Sequence, residues 1–211
     1  METDSARKAL MILRDPAQFR WYVIPMLLLV LYVYANEIER RQWSVVFAGL
    51  AFWGMDWVNE IVNALVFHFT GRAPIWGAPG ATAYLLLIGI NIEITFTFAV
   101  LPIVFAKLLP PDPKMRILGI PNRLFIALAG SISCVIIEYI LNSANALTWD
   151  WWWWNRRAPW LIVIFGYLTF FLVSFRVFDM KTLRSKITTV GALLGFDAAC
   201  LAVFGGMLGW I

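Results

Sequence analysis

The stretch Asp56-Trp57-Val58-Asn59-Glu60-Ile61-Val62-Asn63 lies in the middle of an apolar segment that runs from Trp43 to Phe69. On a helix, positions 56, 59, 60 and 63 fall at spacings i, i+3, i+4 and i+7, so two carboxylates and two amides share one narrow face. A charged side chain at membrane depth costs at least about 2.5–3.5 kcal/mol, so such residues usually face a bundle interior or a wet cavity. The stretch therefore predicts a membrane helix with the polar centre of the protein on one face.

The composition extends this prediction to the whole chain. Of its 211 residues, 61% are hydrophobic and 14% are charged, whereas a soluble domain is typically about 45–50% apolar and about 25% charged. The predicted fold class is all-α, a polytopic transmembrane helical bundle. Its six predicted spans lie at about 21–36, 43–69, 81–108, 123–145, 159–178 and 187–210. A break near Gly89 in the long third span, or insertion of residues 1–20, would make seven.

Residues 1–20 alternate charged and apolar groups, which favours an interfacial amphipathic segment and leaves 21–211 as a single transmembrane domain. No small-residue cleavage site follows the first apolar run, so no cleaved signal is expected. The connections at 107–123 and 176–186 carry four Lys or Arg each, which favours the cytoplasm for them. Four basic residues in the N-terminal tail conflict with that orientation. The expected location is an integral, multi-pass one, in the cytoplasmic membrane of a bacterium or the endoplasmic reticulum of a eukaryote.

Several function classes are disfavoured by residue type. The net charge of +4 does not indicate nucleic-acid binding, because the Lys and Arg residues lie between apolar spans, where they set topology and meet lipid head groups. Cys134 and Cys200 both fall within predicted spans and are expected to be core residues. His68 is the only histidine and lies at a span end, so neither zinc, di-iron nor haem ligation is indicated. We predict no metal and no cofactor.

Two connections, 71–80 and 149–157, are rich in Gly, Pro and Trp. Trp prefers the membrane interface because its ring is apolar while its N–H needs a partner. These segments therefore form either an aromatic belt or a lid over a cavity that opens on their side of the membrane.

Acidic side chains recur in the other predicted spans. Glu93 lies in the third span, Glu138 and Asn142 share a face of the fourth, and Asp197 lies in the last. With Asp56 and Glu60 these make five intramembrane acids, and no Lys or Arg is clearly placed at the same depth to pair with them. A neutral carboxylic acid beside an ionised one is the arrangement that general acid/base catalysis requires. The alternative is that these groups join helices through hydrogen bonds.

The aromatic content favours one reaction in particular. The chain carries 12 Trp, 6 Tyr and 16 Phe, and aromatic faces stabilise cations. A carboxylic acid would protonate an epoxide or alkene of a lipid-soluble substrate, aromatic faces would stabilise the carbocation, and a second carboxylate or a bound water would remove the final proton. Excluding bulk water would prevent quenching of the cation.

Two short motifs resemble a known family of membrane proteins. They are Trp57-Val58-Asn59-Glu60 in the second predicted span and Gly195-Phe196-Asp197 in the last. The layout resembles the small integral-membrane terpenoid cyclases of fungal meroterpenoid and indole-diterpene pathways and their bacterial relatives. Those proteins have similar length and depend on an acid in the second helix and another in the last, although they are usually described with seven helices. The resemblance implies metal-independent cyclisation of an epoxidised or terminal-alkene prenyl chain, an intramolecular lyase or isomerase reaction in terpenoid biosynthesis.

The predicted site is a lipid-accessible polar cavity lined by predicted helices two, three, four and six. Glu60 and Asp197 are predicted to be the acid and base, and Asp56 is predicted to tune Glu60 from one turn away. The predicted substrate-binding residues are Asn59, Asn63, Trp57, Glu93, Glu138, Asn142 and Trp53. The spacings Gly191-x-x-x-Gly195 and Gly205-x-x-x-Gly209 predict close packing of the last helix against a neighbour.

The predicted partners are a hydrophobic small molecule, namely a prenylated or epoxidised isoprenoid, and the bilayer; the oligomeric state stays open. Two other functions fit the same acids. In a proton- or cation-coupled carrier the acids would bind a cation or relay protons, and in a subunit of a larger complex they would pair with basic residues of another chain.

Overall fold

A computed structural model describes all residues, 1–211, and places seven helices in the chain. They are α1 Asp4–Ile12, α2 Val23–Glu39, α3 Trp43–Thr70, α4 Ile92–Lys107, α5 Asn122–Ser143, α6 Pro159–Phe178 and α7 Leu183–Met207. A short 3₁₀ turn, Pro16–Gln18, lies between the first two. The predicted fold class, an all-α helical membrane protein, is confirmed.

Helices α3, α5, α6 and α7 are long and apolar enough to cross a membrane, by length and composition. Helices α2 and α4 have 17 and 16 residues, or about 25 Å at about 1.5 Å per residue. That length is somewhat less than the ~30 Å of a typical hydrocarbon core. Each of the six predicted spans therefore contains one helix, and four of these helices are long enough to cross without local thinning of the bilayer.

The third predicted span is wrong in its first third. Residues 81–91 are not helical; strand β1 (Leu85–Leu87) pairs antiparallel with β2 (Ile90–Asn91), and the chain turns at Gly89. Helix α4 begins only at Ile92, where the Asn91 side chain accepts a hydrogen bond of 2.8 Å from the Ile94 amide and so caps the helix. The predicted break near Gly89 thus separates a hairpin from a helix, not two spans.

A second hairpin precedes α5 at the opposite end of the bundle. Strand β3 (Arg116–Ile117) pairs antiparallel with β4 (Ile120–Pro121). Its two turn residues, Leu118 and Gly119, have φ values of 51° and 79°. Left-handed conformations at both central positions match the right-handed twist of a two-residue hairpin.

Helix α3 is the central helix of the bundle and packs against α4, α6 and α7. Its Phe52 is fully buried and meets the rings of Phe98, Phe170 and Phe171 at centroid distances of 5.8, 5.4 and 4.8 Å, each near edge-to-face. On the α7 side, a Cβ at Gly54 would lie 2.8 Å from Cδ2 of Leu193, so the two helices approach closely there.

The predicted close packing through the glycines of α7 is wrong within this chain. No atom lies within 4 Å of the Cβ position of Gly191, Gly195 or Gly209, and Gly205 meets only the C-terminal Ile211. The close approach of α3 and α7 uses a glycine of α3 instead, because the face of α7 that meets α3 carries Leu193 and Leu194.

Three segments outside the six long helices cover one end of the bundle, and we call residues 1–22, 71–91 and 144–158 together the cap. The Arg14 amide donates to the Leu85 carbonyl over 3.0 Å, and Thr3 Oγ1 donates to Asp150 over 3.1 Å. Gly77 and Thr148 exchange backbone hydrogen bonds of 3.0 and 2.8 Å. Helix α1 packs within the cap through buried Ala6 and Ala9. Its predicted position at a membrane interface stays a prediction.

Candidate active site

A cavity of about 450 Å³ lies beneath the cap, among α3, α4, α5 and α6. Its size is within the ~300–1,000 Å³ of typical small-molecule sites. The fourth helix of its wall was predicted wrongly: α6 supplies Ile162, Gly166, Tyr167 and Phe170, and no residue of α7 lines it. From the cap come Tyr22, Trp76, Ala81, Gly89, Asn91, Ala146, Leu147 and Trp154. The two Gly- and Trp-rich loops thus contribute to the cavity roof, as the lid interpretation expects.

Four carboxylates reach the cavity wall, those of Asp56, Glu60, Glu93 and Glu138, and the wall contains no Lys, Arg or His. Asp56, Asn59 and Glu60 of the predicted stripe are all present, because their spacing places them on the inner face of α3. No group of three or more His, Cys, Asp or Glu side chains has a geometry that could hold a metal ion.

Glu60 is buried and held from the cap. Trp76 Nε1 donates to its Oε1 over 2.6 Å, and Asn63 Nδ2 lies 3.5 Å from its Oε2. Gly89 packs directly on this group: a Cβ there would lie 2.3 Å from Asn63 Nδ2 and 2.6 Å from Glu60 Oε2. The hairpin of the cap therefore needs a glycine at this position to approach the carboxylate.

Asn63 orients the cap instead of a substrate. Its Oδ1 accepts from the amides of Ile75 and Trp76 over 2.7 and 3.2 Å, and its Nδ2 donates to the Trp76 carbonyl over 2.8 Å. The side chain is fully buried and does not line the cavity. It fixes the loop that places Trp76 against Glu60.

Asp56 of α3 and Glu138 of α5 line the cavity, and each has an oxygen without a hydrogen-bond partner. Asp56 Oδ2 and Glu138 Oε2 are buried and have no hydrogen-bond partner, while Glu138 Oε1 accepts from the Tyr167 hydroxyl over 2.7 Å. Tyr167 lies in a π-helical segment of α6, Ile162–Leu168, and such segments are frequent at functional sites. Trp154, also in the wall, has a buried Nε1–H without a partner.

Glu93 differs from these acids because its oxygens are satisfied. It accepts from the Tyr22 hydroxyl (2.5 Å), the Ala83 amide (2.7 Å) and the Thr82 hydroxyl (2.5 Å). These bonds connect α4 to the start of α2 and to the cap. Although Glu93 lines the cavity, its contacts are those of a structural carboxylate.

Five predicted site residues do not line the cavity, Asn63 among them. Asp197 is buried on α7 with both oxygens unpartnered. Asn142 donates to the Leu147 carbonyl over 2.9 Å and accepts from Arg156 over 2.7 Å, so it holds the cap. Trp53 and Trp57 pack against each other with ring centroids 6.0 Å apart.

Several wall residues were missed by the sequence analysis. Trp76, Trp154 and Tyr167 lie far from the acids in sequence, and only the folded cap and the π-helical segment bring them there. Cys134 is a core residue, as predicted, and it also lines the cavity, one turn before Glu138 on the same face of α5.

The fold and the cavity define a class: an all-α membrane protein with a buried acidic chamber under a cap of loops. The chain belongs to an uncharacterized membrane protein family, whose sequence profile matches residues 3–206. It is 54% identical over 211 residues to an uncharacterized protein of Archaeoglobus fulgidus, and the alignment covers 100% of both chains. A second uncharacterized protein of that organism is 55% identical over 53 residues, or 25% of this chain and 95% of that one. No solved structure matches the chain.

Proposed function

We propose that this protein is a membrane-embedded enzyme that performs acid/base chemistry on an isoprenoid or other lipid-soluble substrate, with protonation-initiated, metal-independent cyclisation as the reaction. The six longer helices would cross the cytoplasmic membrane, a location that fits relatives from an archaeon. The observation that carries the proposal is the pair of buried, unpartnered carboxylate oxygens, on Asp56 and Glu138, in an aromatic cavity without any basic residue.

The charge of the cavity wall restricts the substrate. A diphosphate or carboxylate would meet four acids and no Lys, Arg or His, and a buried anion without a counter-charge or donors is costly. A neutral chain bearing an alkene or epoxide meets no such cost. A cationic intermediate would be favoured, both by any ionised acid and by the faces of nearby rings such as Trp76, Trp154 and Phe170.

The proposed reaction conserves atoms and electrons. One carboxylic acid gives its proton to the alkene or epoxide, and the electron-deficient carbon is attacked by a second double bond of the same chain, which closes a ring and moves the positive charge. A carboxylate then removes a proton from the adjacent carbon, which restores a double bond. The product is an isomer of the substrate, and no oxidant or reductant is needed.

The geometry distributes the roles differently from the sequence analysis. Asp56 and Glu138 both line the cavity and each keep a buried oxygen without a protein partner, so they are the proposed acid/base pair. Glu60 is occupied on Oε1 by Trp76 and is proposed to hold the cavity roof and contribute negative charge. Asp197 does not line the cavity and acts, in this proposal, only through Asp56.

The test is conversion by membranes of a host that expresses this chain, supplied with farnesyl-aromatic substrates with and without a terminal epoxide. We expect a product of unchanged mass and shifted chromatographic retention. Asp56→Asn and Glu138→Gln should each abolish it, since the amides keep shape and cannot transfer a proton. The matched control is Glu39→Gln, an exposed acid at the end of α2. Full activity in both folded amide variants would reject the proposal.

A proton-coupled carrier is the second candidate, favoured by Asp197. This residue does not line the cavity, yet both of its oxygens are buried and unpartnered. A relay from Asp197 to Asp56 would explain an acid at that place. Proton uptake by protein-containing liposomes on addition of a lipophilic substrate, lost in Asp197→Asn, would distinguish a carrier from an enzyme.

A further inference from the structure

We propose that the cavity receives its ligand sideways from the hydrocarbon region of the bilayer, through an opening between α4 and α5 whose rim carries Thr97 and Ile137. The ligand class is accordingly an uncharged, membrane-dissolved molecule. This inference deepens the proposed function, on which it rests for the identity of the cavity as the reaction site.

The helix packing leaves this side open. Helix α4 packs against α2 and α3, and α5 packs against α6, whereas α4 and α5 make few contacts with each other although they are consecutive. Consecutive antiparallel helices normally pack side by side. Here the space between them is the cavity itself, with Leu101 of α4 on one side and Leu141 of α5 on the other.

Four residues belong both to the cavity wall and to the outer surface: Thr97 of α4, Ile137 of α5, which is 45% exposed, and Tyr22 and Ala81 of the cap. Thr97 lies five residues into α4 and Ile137 six residues before the end of α5, or about 8–9 Å from those helix ends at about 1.5 Å per residue. The opening therefore lies along the helices, below the cap.

The surface around the opening suits lipid. Val104 of α4, two turns after Thr97, is 54% exposed, and Ile137 of α5 is 45% exposed. A contiguous apolar surface of this kind is what the acyl-chain region of a bilayer covers. A polar or charged ligand would have to cross that region before reaching the rim, at a cost of several kcal/mol for unsatisfied polar groups.

The two loops of the cap cover the end of the cavity. A Cβ at Gly80 would lie 2.5 Å from Cα of Ala146, so these loops are in close contact. The backbone pairing of Gly77 with Thr148 joins the same loops. At the upper rim, Tyr22 is exposed, and its hydroxyl bond to Glu93 joins the start of α2 to α4.

The native cysteine of the cavity makes the route measurable without knowledge of the reaction. Cys134 is 3% exposed and lines the cavity, and replacing the other cysteine by Cys200→Ser leaves it as the single thiol. In lipid vesicles, we expect a lipophilic maleimide to modify Cys134 several-fold faster than a charged, membrane-impermeant maleimide added to both sides. Thr97→Trp and Ile137→Trp should slow the lipophilic reagent several-fold.

Ile136→Trp is the matched control, because Ile136 is the exposed neighbour of Ile137 but lines a different groove, between α5 and α6. It should leave the rate unchanged. A second probe, Leu101→Cys in a chain with Cys134→Ser and Cys200→Ser, guards against low intrinsic reactivity of one thiol. Lateral access is rejected if the charged reagent reacts as fast as the lipophilic one, or if both probes resist the lipophilic reagent until the protein is denatured.

Labelling and turnover separate the two proposals. If the lipophilic reagent labels faster and the rim substitutions slow it, but no cyclised product forms, lateral access is supported and cyclisation is rejected. Product formation that is unaffected by Thr97→Trp and Ile137→Trp would retain the enzyme and reject the route.

Discussion

The substitution Gly89→Ala should strongly destabilise the protein, although it adds only one methyl group. The added Cβ would lie 2.3 Å from Asn63 Nδ2, 2.6 Å from Glu60 Oε2 and 2.7 Å from Trp76 Nε1. Distances below about 3 Å require movement, and none of these atoms is the end of a free side chain. The φ of Gly89 is not in the left-handed region, so the expected cost is steric.

The magnitude follows from two contributions. Inserting a methyl group into a packed interior typically costs about 1–3 kcal/mol. Displacing Trp76 from the Glu60 carboxylate would also lose a hydrogen bond to a charged or acidic group, typically worth about 1.5–3 kcal/mol. Together these give about 2.5–6 kcal/mol, which for a chain of this size corresponds to a melting temperature lower by about 5–24 °C.

The assay is thermal unfolding of the purified protein in detergent, followed by the loss of the monodisperse peak in size-exclusion chromatography. Gly195→Ala is the control, because no atom lies within 4 Å of its Cβ position in α7. It should leave the melting temperature unchanged or raise it slightly, since Ala favours a helix by up to about 1 kcal/mol over Gly. If the Gly89→Ala variant has the same melting temperature as the unmodified protein, the described contact of the hairpin with Glu60 is wrong.

Three further substitutions test the packing elsewhere, each by the same melting assay. Gly130→Ala would place a Cβ 2.5 Å from Cζ of the fully buried Phe171 and should cost about 1–3 kcal/mol; an unchanged melting temperature would contradict this helix contact. Lys107→Met removes the ion-pair partner of buried Glu37, whose Oε1 lies 2.5 Å from Lys107 Nζ. Breaking a fully buried ion pair typically costs about 3–5 kcal/mol, and the loss of stability should be smaller here because Lys107 is half exposed. Lys107→Arg should restore stability. Asp197→Asn should raise the melting temperature, since an amide is less costly to bury unpartnered than a carboxylate; a decrease would reveal a partner for Asp197.

The sequence was sufficient for the helices and for the inner face of α3. The spacing of Asp56, Asn59 and Glu60 determined that these side chains point the same way, and a buried polar face needs a polar cavity. At about 100° per residue, Trp53 lies only about 20° from Glu60 and Trp57 about 60° from it. Their position outside the cavity was therefore not available from the spacing.

Other features depended on contacts that one sequence does not contain. Residues 81–91 are apolar enough for a span, and they form a hairpin because Gly89 lets the backbone approach Glu60. Asp197 shares the face of Leu193 and Leu194, which packs on Gly54 of α3, and the whole of α7 lies outside the cavity wall. Both outcomes were decided by long-range packing, so local periodicity could not predict them.

The polar groups around the cavity fall into two kinds, and the difference bears on function. Glu93 and Asn63 have three protein partners each, which join the cap to the helices. Asp56 and Glu138 keep buried oxygens with none. An unsatisfied buried polar group typically costs about 1–3 kcal/mol, whereas Glu60, four residues after Asp56, accepts a hydrogen bond from Trp76 Nε1. Groups left unpartnered at the cavity wall, within reach of a membrane-dissolved ligand, are therefore best explained as the groups that the ligand itself satisfies.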